Sequence, residues 1–267
     1  MSEYEKRDCA RVGSSGISRT PDDVTSEAPL SITVEHPSHG TLCVGVTMRT
    51  IGHDRHLLLG FLYSEGIIGS LTDVDAITIS DGIGHVTLSE NSNFDPSTHS
   101  RNSTVTSSCG VCGRSTVDDM LHMHSPPLDE KIHISSSDVR DILSSMSRSQ
   151  AVFSKTGGSH ACASFFENCK LDRIFEDVGR HNAMDKIVGS YISDCEMPIS
   201  QRVLLVSGRA SFDLVQKAIR AGFPIMVAIG APSTLAIDMA NEYGLTLACF
   251  AKSDSLSVYS GVRRVSL

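Results

Sequence analysis

The chain has 267 residues, of which 40% are hydrophobic, and a formal net charge of −8 at pH 7. This length and apolar content indicate a globular protein with one extended domain or two small ones. The negative charge disfavours a nucleic-acid backbone as the main partner, because phosphate binding along a strand needs a basic surface. It does not exclude a single nucleotide that is held by a few local cations.

No apolar run approaches the roughly 20 residues that span a bilayer, so we expect no membrane segment. The first 27 residues are polar and lack the apolar stretch of a signal peptide, which predicts a cytoplasmic location. In that reducing compartment the eight cysteines favour catalysis or metal binding over disulfides. Most of them lie among apolar or mixed neighbours and are expected to pack there: Cys43, Cys162, Cys169, Cys195 and Cys249.

The first part of the chain predicts a disordered lead-in followed by a small α+β lobe. Residues 1–27 show no periodicity, which is typical of disorder. The lobe that follows covers 28–127 and contains a helix with one apolar face. Alternating apolar residues predict two hairpins, with strands over 30–34, 42–48, 77–79 and 86–88.

Two cysteines, Cys109 and Cys112, follow a polar run over 91–108 and are each followed by a glycine. The run is too polar to pack into a core, so we expect this thiol pair to lie on a mobile loop that ends the lobe. A short helix over 115–122 is predicted next. Two consecutive prolines, Pro126 and Pro127, then mark the boundary between the lobes.

The second half, 128–267, predicts an α/β domain in which helices cover both faces of a mixed sheet. Its apolar segments have the lengths of buried strands and alternate with helices in the order α-β-β-α-β-α-β-α-β. Strands that are separated by helices form right-handed crossovers, which makes the later strands parallel.

This topology predicts where a ligand binds, because ligands of open α/β sheets lie outside the carboxyl ends of the strands. Three loops leave that edge, at Ser207–Ser211, Ala228–Ser233 and Phe250–Ser255. The first two run into helix N-termini, which favour anions, and Arg209 and Lys252 add positive charge. A phosphate or pyrophosphate is the expected ligand, although no P-loop or dinucleotide-binding glycine motif is present. The alternative is that these are solvated charges beside ordinary helix caps.

The spacing of Cys109 and Cys112 leaves zinc binding and sulfur chemistry open. A thioredoxin-type redox pair would open a helix after a strand, and the polar run before Cys109 does not fit that pattern. A zinc deaminase is disfavoured, because it needs a glutamate general base two residues after its histidine, where this chain has Cys162. A structural zinc site would need two further ligands, for which the candidates are His122, His124 and His160.

Several segments of the chain together resemble the FdhD family of formate dehydrogenase accessory sulfurtransferases. The most specific is the charged block Asp177–Lys186, and the resemblance extends from about Leu30 to Arg264. It implies a cytidine deaminase-like fold for the larger lobe. The other segments that carry it are Gly60–Ile68, Ser108–Gly113, Thr156–Ala161 and Ser207–Ser211.

The resemblance implies a sulfur carrier that accepts sulfur from a cysteine desulfurase. The sulfur then passes to the bis-guanine-dinucleotide molybdenum cofactor of formate dehydrogenase. In this interpretation Cys109 bears the persulfide, Cys112 assists, and no metal is resident. Guanine nucleotides are the expected analogues of the cofactor, and members of the family are usually homodimers. The family's cofactor stretch matches Phe250, Ala251, Lys252, Ser253, Asp254 and Ser255, and Ser207 and Arg209 are further candidates from the neighbouring loop.

The alternative function is a binding module that holds the cofactor and docks on formate dehydrogenase without moving sulfur. The roles of His160, Asp177, Arg180 and His181 also stay open. Asp177 and Arg180 either cap and pair at the start of the helix that follows them or border the cofactor groove.

Overall fold

The computed structural model describes residues 2–98 and 125–266, which form four sheets and six α-helices. None of the helices in these ranges has the length and apolar content that crossing a membrane requires. The helices are α1 (Asp54–Ser64), α2 (Ser136–Ser149), α3 (Ala151–Thr156), α4 (Arg180–Ser193), α5 (Phe212–Ala221) and α6 (Thr234–Glu242). The strands are β1 (Tyr4–Gly13), β2 (Gly16–Thr25), β3 (Ala28–His36), β4 (Gly40–Arg49), β5 (Val74–Ser80), β6 (Ile83–Leu88), β7 (Ile134–Ser135), β8 (His160–Phe165), β9 (Leu171–Asp177), β10 (Val203–Val206), β11 (Ile225–Ala228), β12 (Thr246–Cys249), β13 (Ser257–Ser260) and β14 (Val265–Ser266).

Six strands form the larger sheet in the order β13-β12-β11-β10-β8-β9. The neighbours β10, β11 and β12 are parallel, whereas β8 runs antiparallel to both β10 and β9. The predicted mixed sheet and the order of its predicted strands are therefore confirmed, whereas the short helix α3 before β8 was not predicted. The sequence did not predict β13, whose short and mostly polar segment pairs antiparallel with β12. The cytidine deaminase-like relationship stays a prediction.

Alternate residues of the buried strands point to two apolar clusters, one on each face of the larger sheet. Leu204 and Val206 of β10 belong to the cluster that contains the apolar faces of α4, α5 and α6. Val203 and Leu205 belong to the cluster that contains the apolar face of α2. Because both faces of the sheet are apolar, helices must cover both.

The smaller lobe is a four-stranded sheet in the order β4-β3-β6-β5, against which α1 packs. Both predicted hairpins are present, β3 with β4 and β5 with β6, while β3 and β6 pair in parallel. Leu30, Ile32 and Val34 of β3 belong to the same buried cluster as α4 and α5. The lobes therefore share one continuous core, and the boundary at residue 127 stays a prediction.

The prediction that residues 1–27 are disordered is wrong, because β1 and β2 form an antiparallel hairpin there. Most of its side chains are exposed, so the apolar alternation that indicates a strand in sequence is missing. Backbone pairing and cross-strand ion pairs such as Lys6–Asp23 hold the hairpin together. At its base the Thr25 and Thr156 hydroxyls are 2.7 Å apart, which anchors it to α3.

Two glycines allow α1 and α4 to cross with their backbones in contact. A Cβ on Gly60 would lie 1.9 Å from the Asp185 carbonyl oxygen, and a Cβ on Gly189 would lie 1.8 Å from the His56 carbonyl oxygen. No side chain fits at such distances, so only glycine permits this crossing. The crossing packs α1 of the smaller lobe directly against α4 of the larger lobe.

We expect Gly60→Ala and Gly189→Ala each to lower the free energy of unfolding by about 2 kcal/mol or more, because the new methyl group forces the helices apart. In an open helix the same change would stabilise by roughly 0.5–1 kcal/mol. Urea denaturation followed by circular dichroism measures the change. Gly13→Ala is the control, because nothing lies within 4 Å of a Cβ at that position. Unchanged stability of the two helix variants would contradict the close crossing.

Candidate functional site

The loops that follow β10, β11 and β12 meet at the carboxyl edge of the larger sheet, as the sequence predicts. The Gly230 N–H donates to the Gly208 carbonyl at 2.9 Å, and the Phe250 N–H donates to the Gly230 carbonyl at 3.2 Å. The Ala210 N–H donates to the Ala231 carbonyl at 3.0 Å. These bonds join the three loops into one surface, which we call the loop surface.

Close backbone contacts determine the shape of the loop surface. A Cβ on Gly230 would lie 2.8 Å from the Arg209 backbone nitrogen, so a larger residue would push two loops apart. The Ser207 hydroxyl accepts a hydrogen bond of 2.9 Å from the Ala161 N–H, which fastens the first loop to β8. Ser207 thus lies at the predicted edge, and its oxygen already has a backbone partner.

Arg209 and Lys252 supply the positive charge that the sequence predicts at this edge. Both residues are exposed, and neither side chain has an ion-pair or hydrogen-bond partner among the described residues. The Lys252 N–H donates to the Ser255 carbonyl at 2.8 Å, which closes the loop after β12 into a turn. Ser253 and Asp254 are exposed in the same turn.

Phe250 presents an aromatic ring beside this turn. Its backbone lies in the left-handed region at φ 52°, which few residues other than glycine adopt. Its side chain is 44% exposed, and the Tyr259 ring centroid lies 6.5 Å away. A strained backbone that holds an aromatic ring in solvent suggests a ligand contact. Ala251 is buried, so it can offer a ligand only its backbone.

His160, the first residue of β8, and Arg180, the first residue of α4, also reach the loop surface. His160 begins β8 opposite Asp177, which ends β9, and the pairing of β8 with β10 places both beside the carboxyl end of β10. A Cβ on Gly208 would lie 3.5 Å from Arg180 Cδ and 3.7 Å from His160 Nδ1. The sequence left both roles open, because the direction of β8 depends on tertiary pairing. The charged block Asp177–Lys186 was the feature of the sequence that could have pointed to Arg180 as a site residue.

Positive charge is concentrated around Gly208. Burial and the neighbouring Arg209 lower the pKa of Arg180 below its ordinary value. Burial, Arg180 and His181 lower the pKa of His160 below its ordinary value, so His160 is neutral at neutral pH. Cationic groups that lower the pKa of one another in this way create a region of positive potential.

His181 and Asp213 lie side by side between the first turns of α4 and α5. The Nε2–Oδ2 distance is 3.7 Å, longer than a hydrogen bond, and the side chains are 18% and 15% exposed. Burial alone would raise the pKa of Asp213, but His181 and Lys217 lower it below its ordinary value. Asp213 is therefore negatively charged at neutral pH, with His181 and Lys217 as its basic neighbours.

Three buried polar atoms at this edge have no hydrogen-bond partner among the described residues, namely Arg180 Nε, His181 Nε2 and Ser211 Oγ. Ser211 is the residue before α5, where the sequence predicts a cap, but its side chain forms no capping hydrogen bond. Buried polar groups are nearly always paired in native proteins. These atoms therefore suit a polar or anionic ligand.

Asp177 has a structural role, in a buried ion pair with Lys186. Their Nζ–Oδ2 distance is 2.7 Å, and the side chains are 1% exposed for Lys186 and 0% for Asp177. Asp177 also accepts hydrogen bonds from the Gly179 N–H at 2.8 Å and the Thr50 N–H at 3.1 Å. Lys186 donates to the Thr50 carbonyl at 3.0 Å. The interpretation in which Asp177 pairs at the start of the helix is therefore correct for Asp177, whereas Arg180 borders the loop surface.

The predicted catalytic cysteines, Cys109 and Cys112, lie outside the described residues. The same is true of His122, of His124 and of the predicted helix over 115–122. Within the described ranges, no three His, Cys, Asp or Glu side chains are grouped so that they could hold a metal ion. The expectation that no metal is resident therefore stays a prediction, and zinc binding by the cysteine pair stays its alternative.

Most of the cysteines predicted to pack in apolar surroundings do so. Cys162 and Cys249 are buried, and burial raises the pKa of Cys249 to about 12 and also raises that of Cys162. Cys43 and Cys169 are partly buried. The prediction is wrong for Cys195, which is exposed in the turn after α4.

Comparison with known proteins gives one consistent family. The profile of the FdhD/NarQ family matches residues 25–266. The sulfur carrier protein FdhD of Streptomyces coelicolor is 38% identical, and the alignment covers 98% of this chain and 96% of that protein. The protein of the same name from Thermoplasma acidophilum is 39% identical over 94% of this chain and 89% of its own length. In fold, the chain resembles the crystal structure of a candidate formate dehydrogenase accessory protein from Desulfotalea psychrophila. The TM-score is 0.78, with 21% identity over 99% of this chain and 100% of that one.

We expect Lys186→Met to lower the free energy of unfolding by about 3–5 kcal/mol, because it leaves the Asp177 carboxylate buried without a counter-charge. The double variant Asp177→Asn/Lys186→Met should lose less than the single one, because it removes both charges. Urea denaturation measures both changes. The control is Lys6→Met, which breaks an exposed pair worth at most about 1 kcal/mol. Equal losses for Lys6→Met and Lys186→Met would contradict the structural role of the buried pair.

Proposed function

Because the chain belongs to the FdhD/NarQ family, we propose that it is a sulfur carrier required for formate dehydrogenase activity. Two relatives of 38–39% identity are named sulfur carrier protein FdhD, and the alignments cover almost their whole length. The structural observation that supports the proposal most is that Arg209 and Lys252 are exposed at the loop surface without an ion-pair partner among the described residues. A surface of this kind suits a cofactor that carries phosphate groups.

In this proposal sulfur enters as a persulfide on Cys109. The Cys109 thiolate attacks the outer sulfur of a persulfide on a cysteine desulfurase. One S–S bond forms on Cys109, the donor's S–S bond breaks, and the donor leaves as a thiolate, so that no net oxidation occurs. The protein is thereby a sulfurtransferase, and its direct partner is the desulfurase.

Cys112 has a defined role in the release of the sulfur. Its thiolate attacks the inner sulfur of the Cys109 persulfide, which breaks the persulfide bond and frees hydrosulfide. The two cysteines become a disulfide and supply the two electrons that the departing sulfur carries away. A cellular dithiol then reduces the disulfide and resets the carrier.

The acceptor in this proposal is the bis(molybdopterin guanine dinucleotide) form of the molybdenum cofactor, whose metal takes up the sulfur ligand when the cofactor is bound. The exposed residues of the turn after β12 would hold its guanine end. Phe250 offers a stacking surface, and the Asp254 carboxylate offers acceptors for the guanine N–H groups. Lys252, Arg209 and the loop that contains Ser207 would face the phosphates. The buried Ala251 would contribute through its backbone, and Ser253 and Ser255 through hydroxyl groups.

The proposed function also includes a cellular location and an oligomeric state. A cytoplasmic homodimer that delivers sulfur to formate dehydrogenase agrees with the family resemblance, and so does a cytidine deaminase-like larger lobe. Size-exclusion chromatography with light scattering would test the dimer directly.

A cofactor-binding chaperone that moves no sulfur is the second candidate function. It is favoured by the loop surface, which by itself requires only binding. A sulfane-sulfur assay separates the two functions, because a pure binding module stays unlabelled after exposure to a desulfurase and cysteine.

We expect Cys109→Ala to abolish both sulfane-sulfur loading and the activation of formate dehydrogenase, because the accepting thiolate is gone. Cys112→Ala should load sulfur and release it slowly. Cyanolysis after incubation with a desulfurase and cysteine measures the loading. Cys195→Ala is the control, because that thiol is exposed and lies outside the motif. Full loading of Cys109→Ala would contradict the proposal.

We expect Lys252→Ala to weaken the binding of GDP about tenfold, because a charge-assisted hydrogen bond to phosphate is worth roughly 1.5–3 kcal/mol. Isothermal titration calorimetry at low salt measures the affinity. Lys170→Ala is the matched control, since Lys170 is an exposed lysine in the turn between β8 and β9, at the opposite edge of the sheet. If both variants bind GDP as the wild type does, the turn after β12 is not the nucleotide site.

A further inference from the structure

We propose that Arg180, Arg209 and Ser211 form a binding subsite for a phosphate or diphosphate group, separate from the turn after β12. Neither Arg180 nor Ser211 is among the residues that the family resemblance assigns to the cofactor. The identity of the natural ligand rests on the proposed function, whereas anion binding itself rests on the residues described below.

The three residues surround one short turn. Arg180 is the first residue of α4, and its Cδ lies 3.5 Å from a Cβ placed on Gly208, the residue before Arg209. Ser211 directly precedes α5, so its hydroxyl and the free N–H groups of the first helical turn lie at the same loop. Residues that carry guanidinium, hydroxyl and backbone donors thus lie in this turn or against it.

The two guanidinium groups have no anionic partner among the described residues. Arg180 is partly buried and its Nε has no acceptor, while Arg209 is close enough to lower the pKa of Arg180. Burying unpaired charge is costly, and a second positive charge nearby adds to that cost. A bound anion relieves both penalties.

The acidic groups that face this subsite are already engaged. The charge of Asp213 acts on Arg180, but its carboxylate pairs with His181 at 3.7 Å. The charge of Asp177 reaches His160, but its carboxylate is held by Lys186 at 2.7 Å. His160 is neutral at neutral pH and supplies no compensating negative charge. Asp213 thus offsets part of the charge of Arg180 from a distance, while no described carboxylate forms an ion pair with either arginine, so both can still bind an anionic ligand.

The donors favour a phosphate over other anions. Each guanidinium is a planar fork that matches two oxygens of a phosphate, and Ser211 Oγ adds a donor that lacks a partner in the described structure. A diphosphate carries enough negative charge for both arginines. Hydrosulfide and persulfide anions share the sign of the charge, but they have a single charged sulfur and cannot occupy two forks.

The strand order places this subsite at a suitable distance from Phe250. Arg209 follows β10 and Phe250 follows β12, with β11 between them. At the usual spacing of about 4.8 Å between strands, the two positions are about 10 Å apart along the edge. A nucleotide with its phosphates at the arginines can therefore extend along the edge and place its base on Phe250.

The test is calorimetric titration of inorganic pyrophosphate and of GDP against wild type, Arg180→Gln, Arg180→Lys and Arg209→Gln. We expect Arg180→Gln and Arg209→Gln each to weaken pyrophosphate binding about 10- to 100-fold, because each removes a charge-assisted fork. Arg180→Lys should lose less, because it keeps the charge without the fork. Arg140→Gln is the control, an exposed arginine on α2, and should bind as wild type does.

The proposal is overturned if wild type does not bind pyrophosphate, or if Arg180→Gln and Arg209→Gln bind it as tightly as Arg140→Gln does. Should Arg180→Gln fail to fold, Arg180→Lys and the exposed Arg209→Gln carry the same test.

Measurements of sulfane-sulfur loading distinguish this proposal from the sulfur-carrier function. Pyrophosphate binding should be the same in wild type and in Cys109→Ala, because the subsite does not use that thiol. Sulfane-sulfur loading should be the same in wild type and in Arg180→Gln. If Arg180→Gln instead loses sulfur loading and keeps pyrophosphate binding, the arginines serve the persulfide and the phosphate subsite is wrong.

Discussion

The buried ion pair between Asp177 and Lys186 determines where the rest of the site lies. It stands where β9 ends and α4 begins, and both partners also bond the backbone of Thr50, just beyond β4 of the smaller lobe. Removing two charges from water costs several kcal/mol per ion, so such a pair persists only when its remaining lone pairs and protons are satisfied. Here the Gly179 N–H and the Asn182 side-chain amide also donate hydrogen bonds to the Asp177 carboxylate. The pair therefore controls how the chain leaves the sheet, and with it the position of Arg180.

The same pairing explains how a protein of net charge −8 presents a positive surface. Three acids near the start of α4 and α5 each lie beside an internal basic side chain. Asp177 pairs with Lys186, Asp185 pairs with Lys217, and Asp213 pairs with His181. Among the described residues, none of these acids forms an ion pair with the arginines beside Gly208. The local potential at the loop surface is thus set by nearby charges rather than by the net charge of the chain. The reason is that the field of a buried pair of opposite charges largely cancels within a few ångströms.

Rigidity of the loop surface comes from the packing behind it. The crossing at Gly60 and Gly189 brings α1 into backbone contact with α4, and both lobes contribute to one apolar cluster. Groups that bind an anion gain most when they are held in place before the ligand arrives. A sulfur carrier of the proposed kind requires that rigidity at the cofactor, and it requires reactive thiols that can meet two partners. In the proposed function these tasks fall to different segments, the sheet edge and the cysteine pair.

The sequence by itself determined the order of helices and strands, because apolar periodicity reports which face of each element is buried. It also determined the three loops at the carboxyl edge, since right-handed crossovers leave one arrangement of parallel strands. The N-terminal hairpin could not be predicted, because its strands bury almost no apolar side chains and leave no periodic pattern. Arg180 and His160 could be placed only by the tertiary structure. The antiparallel direction of β8 and the neutralisation of Asp177 by Lys186 both depend on contacts between residues far apart in the chain, and local patterns do not record such contacts.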